Sequence, residues 1–111
     1  MAYYTIERKQ NQCWVALQGD LTASLIPDLQ AALKKNLEQG VDEAVFDLEK
    51  TGMLDSSGIG LLIATCNSLG KKKGKVRVLH VSLDIFRLLQ SMRLVTRLNV
   101  SGRELREEAH G

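Results

Sequence analysis

The chain has 111 residues, with 15 basic and 13 acidic side chains, a net charge of +2 and 44% hydrophobic residues. That length holds one domain, expected over residues 1–111, and buries about two-thirds of the unfolded surface, so no disulfide or metal staple is required. The apolar share excludes a disordered tail, and runs such as Ile59 to Thr65 fall far short of the ~20 residues that cross a bilayer.

The opening Met1-Ala2-Tyr3-Tyr4-Thr5 carries neither a basic segment nor an apolar one, which predicts a cytoplasmic protein with no membrane partner. Cys13 and Cys66 lack a Cys-x-x-Cys spacing and sit in apolar runs, so both are expected as reduced core thiols.

Tyr4–Glu7 and Cys13–Leu17 are β-rich and flank a polar turn, the pattern of a hairpin. From about Ala23 the period changes. Leu25, Ile26, Leu29, Ala32, Leu33 and Leu37 recur at three and four, predicting an amphipathic helix capped by Thr22 or Ser24, with Pro27 in its first turn and Gly40 at its end. Ala44–Leu48 reads as a strand buried on both faces. A loop over Glu49–Leu54 then leads into a second helix with a core stripe of Ile59, Leu62, Ile63, Cys66 and Leu69, stopped by Gly70.

Val76, Val78 and Leu79 mark another strand, and Leu83, Ile85, Phe86, Leu88, Leu89 and Met92 a third helix capped by Ser82. Leu98–Val100 is expected as a last short strand and Arg103–Ala109 as a last short helix. The order ββαβαβαβα predicts an α/β fold, a mixed sheet of about four to five strands with helices packed against it.

The residues do not assemble an active site. His80 and His110 have no second metal ligand at close spacing. Gly58-Ile59-Gly60 lacks the third glycine of a dinucleotide fingerprint, because Ile63 stands in its place, and no Gly-Lys-Ser/Thr of a P-loop occurs. Ser56 is not in a Gly-x-Ser-x-Gly elbow. The basic run Lys71, Lys72, Lys73, Lys75 and Arg77 has no aromatic interleaving, so it reads as a solvated helix end and not as a nucleic-acid surface. No enzyme activity, cofactor or metal is expected.

What stands out is the start of the second helix. Asp55, Ser56 and Ser57 are three cap-type residues in a row, followed by Gly58 and Gly60. One cap can serve the fold while another hydroxyl stays exposed at the positive end of the helix, where backbone N–H groups favour a phosphoryl group. The two glycines keep the approach of another protein clear.

Gly19-Asp20-Leu21 before a helix, Phe46-Asp47-Leu48 and Met53-Leu54-Asp55-Ser56-Ser57-Gly58-Ile59-Gly60 together resemble the STAS domain of bacterial anti-sigma factor antagonists, over nearly the whole chain. The resemblance implies a STAS-like fold and a protein-binding switch; the element order and average apolar content predict a monomer when free. In that family an anti-sigma factor that is also a serine kinase phosphorylates the serine after the aspartate, a PP2C-type serine phosphatase reverses it, and only the unphosphorylated form captures the kinase.

By motif the phosphoacceptor is Ser56, with Asp55, Ser57, Gly58 and Gly60 supporting its loop and Asp20, Thr22 and Met53 joining Ser56 at the partner surface. Ser57 is expected to be the structural hydroxyl of the helix start. Family members often carry an aspartate where this chain has Thr22. The alternative that the resemblance leaves is a lone STAS subunit of an ABC-type lipid transporter, which needs no phosphoacceptor serine.

Overall fold

The computed structural model describes residues 3–102. Strands β1 (Tyr4–Lys9) and β2 (Gln12–Leu17) form the expected hairpin, closed by a tight turn in which Gln10 takes a φ of 57°. Helix α1 (Ile26–Glu38), strand β3 (Glu43–Asp47), helix α2 (Ser56–Gly70), strand β4 (Lys75–Val81), helix α3 (Leu83–Ser91) and strand β5 (Val100–Gly102) follow. The five strands lie in sequence order in one mixed sheet; β1 is antiparallel to β2, and every later pair is parallel. Each parallel pair is joined through a helix, the connection that parallel strands require. The predicted fold class holds, while the expected helix over Arg103–Ala109 lies outside the described residues.

Alternation decides the core. Cys13, Val15 and Leu17 of β2 are fully or almost fully buried, while Gln12, Trp14 and Ala16 between them are only half-buried. The same face continues through Ala44 and Phe46 of β3 and Val76 and Val78 of β4. It joins Leu29 and Leu33 of α1, Leu62 and Leu69 of α2, and Ile85 and Leu89 of α3 in one cluster. Val45 points to the other face and is fully buried outside that cluster, so the central strand is covered on both sides, as its sequence implies.

Several local expectations are corrected. α1 starts at Ile26, not near Ala23, and neither Thr22 nor Ser24 caps it. Its cap position is Leu25, with no side-chain hydrogen bond, and the hydroxyls of Thr22 and Ser24 face each other at 3.5 Å. A helical turn over residues 23–25 leads into α1, and Pro27 then occupies the first turn as predicted. The last strand is Val100–Gly102 instead of Leu98–Val100; Leu98 is a buried turn residue. Cys13 is fully buried, but Cys66 is only half-buried, and both thiols are free.

The sheet topology sets the functional edge. Because β2, β3 and β4 are parallel, the loops that follow them leave from the same end of the sheet. That end carries residues 18–25, residues 48–55 and the Ser82 cap of α3. Tyr3 joins them, since β1 runs the other way and the Gln18 amide donates to the Tyr3 carbonyl at 2.8 Å. Ligand and partner sites of open parallel sheets collect at this carboxyl edge. The lysines after Gly70 lie at the opposite end of α2.

Candidate partner-binding site

Asp55 takes the cap position of α2 in extended backbone, and its Oδ1 accepts from the Gly58 amide at 2.9 Å. This corrects the assignment of Ser57: the side chain that satisfies the open N–H groups is the aspartate, and neither Ser56 nor Ser57 makes a side-chain hydrogen bond among the described residues. The carboxylate has the reach and the charge for a helix start. Ser56, the first helical residue, is exposed; Ser57 is half-buried. The result is a free hydroxyl on the positive end of a 15-residue helix.

The loop that presents it is tied to its neighbour in both directions. Asp20, after β2, accepts through Oδ1 from the amides of Gly52 and Met53 at 3.1 and 2.9 Å. Asp55, after β3, accepts through Oδ2 from the Ala23 amide at 3.2 Å. The Thr51 hydroxyl donates to the Gly19 carbonyl at 2.9 Å, and a short parallel bridge pairs Leu21 with Leu54. Each loop thus supplies a carboxylate to the backbone of the other. Thr51 is 1% exposed, one of the two buried polar residues in the chain's described core. Sequence reasoning missed it, although its position ahead of a run of cap residues was the available signal.

Gly58 and Gly60 differ in kind. A Cβ at Gly58 would stand 2.8 Å from the Leu21 carbonyl oxygen and 2.8 Å from a Leu54 methyl, so glycine there lets α2 sit against the loop bridge. A Cβ at Gly60 would meet nothing within 4 Å. Gly58 belongs to the packing of the site, and Gly60 to its open surface.

The structure brings Asp20, Thr22, Met53, Asp55 and Ser56 to one edge of the sheet. Met53, in the loop before α2, is 52% exposed, a large apolar side chain open to solvent. Asp20 is exposed, yet one of its oxygens already holds the neighbouring loop, so it supports the site as well as facing outward. Thr22 is half-buried and lines an open cleft of about 500 Å³ with Tyr3, Asp20 and Leu25. Among the described residues, no group of three or more histidine, cysteine or acidic side chains could hold a metal ion, and no helix is long and apolar enough to cross a membrane.

Residues 3–104 match the STAS domain family. The anti-sigma-B factor antagonist of Staphylococcus aureus (strain NCTC 8325 / PS 47) is 29% identical over 76 residues, which is 68% of this chain and 70% of that one. Two solved structures of SpoIIAA share the fold. The anti-sigma factor antagonist in its unphosphorylated form superposes with a TM-score of 0.71 at 22% identity, over 78% of this chain and 81% of that one. The Bacillus cell-fate determinant in its phosphorylated form gives 0.74 at 18% identity, over 97% and 99%. A five-stranded mixed sheet whose carboxyl edge presents Asp55-Ser56-Ser57-Gly58 at the start of α2, together with a family match across nearly all of its length, makes this chain a member of the STAS domain family.

Proposed function

We propose that this protein is a phosphorylation-controlled partner switch of the anti-sigma factor antagonist kind, a cytoplasmic binding protein without catalysis of its own. Unphosphorylated, it captures an anti-sigma factor that is also a serine kinase. Phosphorylation of Ser56 releases that partner, and a PP2C-type serine phosphatase restores the binding form. The observation that carries this reading is the division of labour at the start of α2: Asp55 caps the helix and ties the loops, which leaves the Ser56 hydroxyl exposed and unengaged. The relatedness to curated anti-sigma-B factor antagonists supports the same reading.

The chemistry is electrostatic. A phosphoserine adds roughly −1.5 to −2 charges at pH 7. In the free protein that charge lies in water at the positive end of α2, so the fold tolerates it. In a complex the partner's surface would cover it and strip its water beside the carboxylate of Asp55. Desolvation and repulsion of about 3–4 kcal/mol weaken an interface by two to three orders of magnitude.

The test is affinity capture from the native lysate with the unphosphorylated, Ser56→Ala and Ser56→Asp proteins, followed by mass spectrometry and titration of the purified partner. A soluble serine kinase held by the first two baits and not the third supports the switch. A membrane ATPase on all three would instead support the transporter-subunit reading, and equal affinity of all three for a kinase would defeat the switch.

A further inference from the structure

Helices α1 and α2 pack side by side and leave between them an open groove of about 220 Å³. Its lining is half apolar and half polar: Leu37 and Ala64 face the opening, Leu33 and Leu61 are almost fully buried at its floor, and Thr65 beside them donates its hydroxyl to the Leu61 carbonyl at 2.8 Å. The α2 rim is low because its residues are small. Gly60, Ala64 and Ser68 recur every four residues and are exposed, continuing from the exposed Ser56. Lys34 is the charged residue of the lining, and Lys72 stands at the far end with its ammonium donating to the Leu37 carbonyl at 2.8 Å. Among the described residues, no acidic side chain lines the groove.

We propose that this groove seats an acidic amphipathic helix of the partner protein, laid along α2 with aliphatic anchors over Leu37 and Ala64 and carboxylates over Lys34 and Lys72. The volume lies below the ~300–1,000 Å³ of small-molecule pockets, and an open trough between two helices fits the side-chain ridge of a third. The basic rim sets the sign of the partner. Geometry then links the groove to the switch: Ala64 is eight residues beyond Ser56, about 12 Å along the axis at ~1.5 Å per residue. A helix anchored at Ala64 and running the length of α2 would pass over Ser56, where a phosphate faces its carboxylates. The proposal rests on the reading of Ser56 as the switch and adds what the phosphate repels.

The experiment titrates the identified partner kinase with wild-type, Ser56→Ala, Ser56→Asp, Ala64→Arg, Lys34→Glu and, as a control on α3, Gln90→Arg, at low and physiological salt. Ala64→Arg should weaken binding at least 30-fold by filling the trough. Lys34→Glu should weaken it about five- to tenfold and flatten the salt dependence, and Gln90→Arg should bind as wild type. Lys34→Glu changes one surface charge, so it keeps the test meaningful even if Ala64→Arg disturbs the helix.

Unchanged affinity of both groove variants for a kinase that Ser56→Asp releases would overturn the groove and leave the switch standing. Tighter binding by Lys34→Glu would overturn the acidic partner helix. Failure of Ser56→Ala to hold any kinase would bring down the switch reading and the groove proposal with it.

Discussion

Asp55 accepts a hydrogen bond from the amide of Ala23, 32 residues earlier in the chain, at 3.2 Å, while its other oxygen caps α2 through Gly58. One side chain therefore both starts the helix that carries Ser56 and fastens the loop in front of it to the loop after β2. Asp20 returns the contact through Gly52 and Met53. Two carboxylates thus hold four backbone amides across the two loops that frame Ser56.

Removal of the cap should show this directly. Asp55→Ala is expected to lose about 1–2 kcal/mol, the range for a cap with a second backbone acceptor role, and to lower Tm by several degrees. Ser57→Ala, which removes no hydrogen bond among the described residues, should stay within about 0.5 kcal/mol. Urea denaturation of the two variants beside wild type decides between them, and the reverse ranking would return the structural role to Ser57.

The two glycines of the site should respond with opposite signs. Gly58→Ala forces a methyl within 2.8 Å of a backbone oxygen and is expected to destabilise by about 1–3 kcal/mol. Gly60→Ala enters open space inside a helix and should stabilise by roughly 0.5–1 kcal/mol. Thermal melts suffice, with a loss at Gly60 equal to that at Gly58 as the contrary result.

Both Ser56→Ala and Ser56→Asp should melt within a few degrees of wild type, because the hydroxyl is exposed and an added charge there meets a helix N-terminus. The partner affinity should nonetheless fall 100- to 1,000-fold for Ser56→Asp alone. A large stability loss in Ser56→Asp would mean that the charge acts by unfolding the domain and not by opposing the partner.

The Tyr4 hydroxyl donates to the Asp28 carboxylate at 2.6 Å, clipping β1 to the start of α1. This hydrogen bond, then burial, then the charge of Asp28 hold the phenol above its ordinary value of 10.0. A raised phenol favours the protonated fold, so its contribution is complete below about pH 10 and fades as pH climbs through the raised value. Wild type should therefore lose its stability advantage over Tyr4→Phe above pH 10, which denaturation midpoints at pH 8 and pH 11 would reveal. Parallel curves for the two proteins would remove the clip.

The two thiols should also separate. Burial pushes the Cys13 thiol up, outweighing the opposing charge of Arg8, and the residue is 0% exposed. Cys66 is half-buried with its sulfur 3.8 Å from the Arg97 carbonyl oxygen. A thiol alkylator under native conditions should label Cys66 first and leave Cys13 unmodified until the domain opens. Equal rates by intact and peptide mass would contradict the placement of Cys13.

The sequence by itself determined the element order, because burial writes a period into the chain. Alternation in Cys13–Leu17, the three–four spacing of α1 and the apolar run of β3 are local patterns, and each survives as a strand or helix of the expected kind. The exposed hydroxyl of Ser56 was legible for the same reason, from cap residues adjacent in sequence.

What only the tertiary structure decided are the contacts between segments about 30 residues apart. The second bond of Asp55 to Ala23, the support given by Asp20, and the packing that separates Gly58 from Gly60 all depend on how the loops after β2 and β3 meet. The same holds in β4, where the register shifts between Val78 and Val81 and His80, at a φ of 61°, brings its Nδ1 to Asp47 at 3.0 Å. Hydrogen bonds across such separations leave no periodicity in the chain; parallel strands bring their loops to one edge, and the pairing of side chain with backbone is settled there by distance and direction.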